Sequence, residues 1–305
     1  HDICYIGLAD FVYLEEERVA AHARSVAPSP DIKDTKQLLD ILRSTAKLRI
    51  EMDHIDVMWL RFDPVLDMIG RPWAATMGLQ FAQLAQKQNV LVINDPHALI
   101  GAENKLYLEN FPEEVRPKTM VTRSYEDVLQ FFEQQDQHII LKPLKGSGGK
   151  NVFMVNKNEV KNLKQIVEVI CRDGYLIAQE YLPEAQKGDI RFFLLDGEPV
   201  VVNGKYASVN RVQQAGEIRS NIHQGAKAQV AYITPDILTL VGKVAEKLKH
   251  DGMYFVGLDI VGNKIMEINV FSPGALPQAS ALNEEDYTTV IIENLEKKVS
   301  LSNRN

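Results

Sequence analysis

Cysteine is almost missing from this chain: Cys4 and Cys171 are the only two in 305 residues, far apart and each in an apolar neighbourhood. Two such thiols build neither a disulfide framework nor a metal cage, and they suit a reducing cytoplasm. Long apolar runs are absent as well, so no segment reaches the length that a membrane-spanning helix needs. There is no excess of positive charge: the formal net charge of −7 argues against broad attraction to nucleic acid or to an anionic membrane. A local basic cluster for the phosphates of a small ligand remains compatible with it. Internal repeats and low-complexity tracts are lacking too. The sequence opens at His1 with neither a methionine nor a secretory pattern, so an opening segment is expected to be wanting. What is present is the composition of a globular protein, 45% apolar and 25% charged, at a length that suits two or three packed units.

The first third alternates strand and helix. Apolar runs at 3–8, 55–60 and 90–93 read as strands, and 12–16 with 18–26 as a short hairpin. Residues 68–88 carry apolar side chains at helical spacing, so strand, helix and strand predict a parallel α/β sheet. The charged stretch 31–50, bounded by Pro28 and Pro30, reads as a surface excursion. A helical stretch at 98–110 ends at Pro112 and Pro117, which places the main boundary there. The expected domains are 1–112 and 113–305, the second with a small lid subdomain at about 118–183 and a central subdomain at about 184–305. Within it the pattern is mixed α+β. Helices are expected at 125–135, 160–172 and 235–250, and strands at 138–143, 151–155, 176–181, 190–195, 198–202, 255–261 and 264–270. The polar segment 203–228 is too long for an ordinary connection and reads as a lid or a disordered stretch.

Two places carry chemistry. In Gly257-Leu258-Asp259-Ile260 and Met266-Glu267-Ile268-Asn269, side-chain period two puts Glu267 and Asn269 on one face. A turn at Gly262-Asn263 would bring Asp259 alongside. Carboxylates on an inner face are costly unless neutralised, and oxygen ligands of this kind suit magnesium. The plain alternative is a solvated sheet face with incidental acids. Earlier, Ile140-Leu141-Lys142-Pro143 runs into Leu144-Lys145-Gly146-Ser147-Gly148-Gly149-Lys150. A lysine at a strand end can hold phosphate as a point charge, and glycines let backbone N–H groups close over it. The spacing is not that of a Walker loop, and a glycine-rich hairpin turn is the plain alternative.

The order of these residues along the chain resembles the ATP-grasp superfamily, and most closely bacterial glutathione synthetases. Lys105, then Lys142 with its glycine loop, Glu180-Tyr181-Leu182, Asp189-x-Arg191, Arg211, Arg219 and Asp259…Glu267-x-Asn269 follow that family's order. Leu60-Arg61-x-Asp63-Pro64, Asp196-Gly197-Glu198-Pro199-Val200 and Gly216-Glu217-x-Arg219 look like its phrases, and the likeness runs from His1 to about Pro273. The resemblance implies an α/β (α+β) ATP-grasp fold behind an N-terminal parallel α/β (pre-ATP-grasp) domain. It also implies that a first strand and helix, and a loop that helps bind the peptide substrate, are wanting from this sequence.

What the resemblance implies chemically is ATP-dependent amide formation through an acyl phosphate, joining γ-glutamylcysteine to glycine, with two Mg²⁺ ions that Mn²⁺ can replace. Lys105, Lys142, Gly146, Ser147, Gly148 and Gly149 would hold the phosphates, Glu180, Tyr181 and Leu182 the adenine, and Asp189 the ribose. Asp259, Glu267 and Asn269 would be the metal ligands. Arg191, Arg211 and Arg219 would be catalytic, and Arg61, Asp63, Ser272, Gly274 and Ala275 would meet substrate. A cytoplasmic homo-oligomer, dimer or tetramer, that engages no nucleic acid or membrane is expected. Two departures concern the acceptor. Gly216–Asn221 with His223-Gln224-Gly225 is also similar to ligases that add glutamate to a protein or peptide tail. Phe271 stands where the synthetases usually carry threonine, and residues 276–282 depart further. Another ATP-grasp amino-acid or peptide ligase is therefore the alternative, and a non-catalytic ATP-binding regulator a more distant one.

Overall fold

The computed structural model describes the chain apart from residues 27–31, 33, 69, 147, 213–225 and 303–305, with only the backbone of Ser302. Ser147, Arg219 and the segment holding Gly216, Glu217 and His223 therefore lie outside the described residues. The chain forms two compact units, one of residues 1–100 with 298–305 and one of residues 101–297.

The first unit holds a four-stranded antiparallel sheet of β1 (Ile3–Tyr5), β2 (Phe11–Tyr13), β3 (Val19–Val26) and β4 (Leu48–Glu51), in which each of the others pairs with β3. Val19, Ala20, Ala21 and Ala23 of β3 are completely buried, while His22 and Ser25 are exposed. Among the described residues, parallel pairing is confined to β5 (Val57–Trp59) and β6 (Leu91–Ile93), on either side of helices α2 (Pro64–Asp67) and α3 (Ala74–Gln86). One expectation is corrected here. The stretch 31–50 is not a mere excursion: it supplies helix α1 (Thr35–Ser44), capped by Asp34 accepting from Gln37 N at 2.8 Å, and the strand β4. The charge density that suggested a surface loop belongs to a helix without a single buried residue.

Helix α4 (Pro96–Gly101) runs to the point in the chain where the second unit starts, and a 3₁₀ turn, Lys105–Asn110, is the first element wholly within that unit. Its smaller sheet has the order β7 (Thr119–Thr122), β10 (Leu176–Glu180), β8 (His138–Pro143), β9 (Phe153–Asn156), all antiparallel. Ile139 and Leu141 of β8 and Leu176 and Ala178 of β10 join a buried core with α5 (Tyr125–Gln134) and α6 (Leu163–Ile170). By strand alternation, His138, Ile140 and Lys142, with Ile177 and Gln179, occupy the opposite face.

The larger sheet is built on β11 (Asp189–Leu195), with β12 (Glu198–Pro199) at its end, beside a small hairpin of β13 (Val201–Val202) and β14 (Lys205–Tyr206). Next come β15 (Ser208–Val212), β16 (Lys227–Gln229), helix α7 (Pro235–His250), β17 (Phe255–Val261) and β18 (Lys264–Asn269), giving the order β16-β15-β11-β17-β18. Helices α8 (Leu276–Asn283) and α9 (Tyr287–Ser302) follow. Here a second expectation fails. Residues 203–228 are not wholly a lid, because β14 and β15 lie within that span, β16 begins in it, and Ala207 and Val209 are completely buried. The polar side chains that made this stretch look loose alternate with apolar ones at strand period, and β15 fills the backbone ladder of β11.

Candidate active site

The β11 and β17 registers place a row of charges on one face of the larger sheet. Asp189 lies directly opposite Arg211, and Arg191 directly opposite Asp259. Their side chains form a continuous chain. Arg191 donates from Nε to Asp259 Oδ1 at 2.5 Å and from Nη2 to Oδ2 at 2.9 Å. Arg211 Nη2 reaches the same Oδ2 at 2.9 Å, while its Nε donates to Asp189 Oδ1 at 2.9 Å and its Nη2 also to Asp189 Oδ2. All four residues are buried, at 5–8% exposure, which leaves pairing as the means of keeping them charged. Burial alone would raise the Asp259 carboxyl, but Arg191 and Arg211 outweigh it and hold the group well below the usual carboxylate range. Burial likewise works against the Arg211 guanidinium, and Asp259 and Asp189 more than compensate.

Beside this row, Gly257 faces Asn269 and Asp259 faces Glu267 across β17 and β18, with Gly262 (φ +57°) in the turn that joins them. Glycine is required at 257 for space: a Cβ there would lie 2.8 Å from Pro273 Cβ and 2.9 Å from Arg191 Cδ. Asn269 Nδ2 donates to Gly257 O at 3.2 Å and approaches Asp259 Oδ2 at 3.4 Å. Arg191 also donates to Gly274 O at 3.2 Å, and Ala275 adopts φ +77° at the start of α8, so this segment is tied to the same row.

Two lysines complete the cluster. Lys105 Nζ lies 3.3 Å from Glu267 Oε1 and donates to Gly146 O at 2.5 Å, which brings the glycine loop to the acids. Gly148 and Gly149 both take positive φ, +68° and +74°, where a side chain would strain the turn. Lys142, half-buried, donates to Gln179 Oε1 at 2.9 Å, and Gln179 Nε2 in turn donates to Thr119 Oγ1 at 3.1 Å. Among the described residues no carboxylate pairs with Lys142. Desolvation, then the neighbouring Lys105 charge, lower its ammonium to about 8.

The other expected residues sit differently. Glu180 accepts from Lys118 N at 2.8 Å, Tyr181 stacks on His138 with centroids 3.9 Å apart, and Leu182 precedes the 3₁₀ turn Pro183–Lys187. Arg61, over the Trp59 ring at 5.8 Å, and Asp63, which caps α2 by accepting from Val65 N at 2.9 Å, belong to the first unit. Reading the sequence gave no site role of their own to Gln179, whose neutral amide is the partner of Lys142, and to Gly257. Only the strand period on β10 and a glycine between apolar strand residues hinted at them.

Among the described residues, no group of three or more His, Cys, Asp and Glu side chains is poised to hold a metal ion, and no helix is long and apolar enough to cross a membrane. The two acids and Asn269 form a partial oxygen set of the kind that suits magnesium, which keeps waters and shares phosphate oxygens.

Comparison with known proteins gives this arrangement a family. A family model for the prokaryotic glutathione synthetase N-terminal domain matches residues 1–99, and one for the prokaryotic glutathione synthetase ATP-grasp domain matches residues 104–284. A glutathione synthetase of Coxiella burnetii is 30% identical over 300 residues, covering 98% of this chain and 87% of its own, and one of Vibrio vulnificus is 32% identical over 257 residues, covering 84% and 77%. The fold is similar to that of D-cycloserine synthetase DcsG (TM-score 0.54, 16% identity, 77% and 85% covered). It is also similar to D-alanyl-alanine synthetase A from Vibrio cholerae (TM-score 0.53, 12% identity, 82% and 78% covered). With both halves of the chain matched in order, it belongs to the prokaryotic glutathione synthetase family and is an ATP-dependent C–N ligase of ATP-grasp fold, a fold that binds ATP with magnesium.

Proposed function

We propose that the chain joins γ-glutamylcysteine to glycine at the expense of ATP, with the second unit as its catalytic body. The observation that carries the polyphosphate site is Lys142: a half-buried ammonium next to Lys105, whose side-chain hydrogen bond among the described residues goes to a neutral amide while Glu267, Asp259 and Glu109 only partly offset its desolvation. Such a charge is costly to keep unless an anion arrives, and the glycine loop held by Lys105 offers backbone N–H groups to the same anion. Gly146, Ser147, Gly148 and Gly149 would cover the phosphates, and Glu180, Tyr181 and Leu182 would border the adenine. The smaller sheet would act as the lid subdomain and the larger one as the central subdomain.

Asp259, Glu267 and Asn269 fit a magnesium site by donor chemistry. They share one face, and the Asn269 amide oxygen accepts no hydrogen bond among the described residues. They would hold two Mg²⁺ ions, replaceable by Mn²⁺. The metal, when bound, supplies charge neutralisation for the transferring phosphoryl group. The chain's own side chains position and neutralise. Lys105 and Lys142 draw the γ-phosphate toward the donor carboxylate, whose oxygen attacks phosphorus as the bond to ADP breaks. The amine of the acceptor then attacks the acyl carbon, inorganic phosphate leaves with the bonding pair, and the amine proton passes to solvent. Arg191, Arg211 and Arg219 would stabilise the charge on the acyl phosphate and hold the acceptor carboxylate. Ser272, Gly274 and Ala275 would shape the acceptor end, and Arg61 and Asp63 the donor end.

The test is phosphate release from ATP with a panel of acids and amines. Release is expected only when γ-glutamylcysteine, glycine and magnesium are all present. Turnover with glutamate and a peptide tail, and none with γ-glutamylcysteine, would overturn the substrate assignment in favour of the alternative suggested by Gly216–Asn221 and His223-Gln224-Gly225. Repeating the assay with Mn²⁺ and with titrated metal tests the ion count. Light scattering tests the proposed homo-oligomer, dimer or tetramer. The two free cysteines support a cytoplasmic location, which fractionation of the producing cell would check.

A further inference from the structure

We propose that Tyr107, bonded to Asp251 at the end of α7, is a positioning residue for Lys105, an inference that rests on the phosphate role given to that lysine and says what aims it.

Lys105 stands at the head of the six-residue 3₁₀ turn Lys105–Asn110, opened by Asn104 accepting from Leu106 N at 3.0 Å. Such turns rarely exceed about three or four residues, because their hydrogen bonds are poorly aligned, so this one needs support from outside. Nor can the Lys105 side chain hold itself. Its two contacts, Glu267 Oε1 at 3.3 Å and Gly146 O at 2.5 Å, are with groups that an arriving metal and polyphosphate would engage. The aim of the ammonium must therefore come from its own backbone.

Tyr107 supplies that support. It is buried, and its hydroxyl donates to Asp251 Oδ2 at 2.8 Å. Lys247 donates to both oxygens of the same carboxylate, at 3.0 and 2.8 Å, and lies 5.5 Å from the centre of the Phe111 ring. Phe111 in turn meets Tyr107 edge-on, with centroids 5.4 Å apart. The circuit is closed: Tyr107 and Phe111 from the 3₁₀ turn and its end, Lys247 and Asp251 from the end of α7. Burial, then the bond to Asp251, push the Tyr107 hydroxyl well above its ordinary range, so it stays a donor. An acid at a helix C-terminus is disfavoured by the helix dipole, and Lys247 with Tyr107 accounts for Asp251 standing there. With three residues per turn, Tyr107 leaves on a different face from Lys105, so the turn is gripped on one side and used on the other. Helix α7 is a firm base, with Ile237, Leu240, Val241, Val244 and Leu248 buried.

Tyr107→Phe removes the hydroxyl alone, while buried Leu108 and the bond from Arg116 Nε to Phe111 O, at 3.0 Å, keep the turn in place. Calorimetric titration of the full chain with Mg²⁺ present should show about tenfold weaker binding of ADP and of a non-hydrolysable ATP analogue, as when one hydrogen bond to a charged group is lost. AMP binding should stay within about twofold. An equal loss for all three would mean a damaged pocket and would overturn the proposal. In turnover, kcat/KM for ATP should fall by about tenfold to a hundredfold, as it does when a catalytic group is displaced by about 1 Å, with the KM values of acid and amine within about twofold. Unchanged kinetics, or a rise in all three KM values, would overturn it. Added to Lys105→Met, Tyr107→Phe should cost nothing more, and a further loss of about tenfold would refute action through Lys105. Asp251→Ala cuts the same bond from its less buried end and should reproduce these effects; it decides if Tyr107→Phe folds poorly. In the ligand-free chain, the Gly146 carbonyl-carbon resonance should move in Tyr107→Phe toward its position in Lys105→Met, because the ammonium no longer reaches that oxygen. A resonance that stays put would overturn the proposal even in an active ligase. One that moves would uphold the positioning of Lys105 even in a chain that turns over no acid–amine pair, where the ligase reading itself would fall.

Discussion

The two sheets of the second unit treat charge in opposite ways. On the larger sheet, Asp189, Arg211, Asp259 and Arg191 satisfy one another before any ligand arrives. On the smaller one, Lys142 is set against a neutral glutamine and its ammonium is driven down to about 8. Paired charges fix geometry and add to the fold. An unpaired one weakens the fold and waits for an anion. One unit thus holds a preorganised face and a face that gains most from being filled.

The sharpest way to break this contrast is Asp259→Asn. It leaves two buried guanidiniums short of a partner, so stability should drop by about 3–5 kcal/mol and turnover should vanish. Urea unfolding and phosphate release check both, and a loss below about 1 kcal/mol would mean that the row is not preorganised. Because the folded Asp259 carboxyl lies below its unfolded value, its contribution is fully present above about pH 4. It is lost as pH falls toward the folded value, so the acid limb of unfolding should flatten in the variant.

Glu267→Gln should separate function from fold. Its partner Lys105 is a partly exposed neighbour, so stability should stay within about 1 kcal/mol, while turnover falls by a hundredfold or so if Glu267 holds metal. Near-normal turnover would remove Glu267 from the metal set.

Lys142→Met should act in the opposite sense to Asp259→Asn. Stability is expected to hold or to rise slightly, and the nucleotide dissociation constant to rise by about tenfold to a hundredfold, the worth of a hydrogen bond to a charged group. Calorimetric titration with ADP and Mg²⁺ measures it. A clear loss of stability would show that the lysine serves the fold.

The smallest effect is in pH. The folded Lys142 lies below its unfolded value of 10.5, so the unfolded chain binds more protons between about pH 8 and 10.5, and stability from this group rises with pH there. Nucleotide affinity should move the other way, falling as pH passes about 8, with proton uptake on binding near that pH. Titrations in buffers of different ionisation heat would detect the uptake, and Lys142→Arg should flatten the profile.

Much of the second unit was legible in the sequence. Thr234-Pro235 opens α7 by capping and Lys247, Lys249 and His250 close it, so Pro235–His250 coincides with the expected helix. Apolar alternation with a glycine turn likewise placed β17 and β18, and with them Asp259, Glu267 and Asn269 on one face. Less was legible where polar residues fill a strand. β15 carries Asn210 and Arg211 and reads from sequence as part of a lid, because its ladder partner β11 lies some twenty residues earlier.

By itself, then, the sequence determined which chemical groups are available and which of them share a face, because strand and helix periods are local properties of the backbone. The order of its motifs also carried the family. Tertiary structure alone decided which charges meet. Asp189 with Arg211, and Arg191 with Asp259, are partners through cross-strand register, and Lys142 meets the amide of Gln179 because β8 and β10 pair so that Ile177 lies opposite it and Gln179 one step along the same face. Register depends on how distant strands pair to bury their apolar sides, and no local pattern records it.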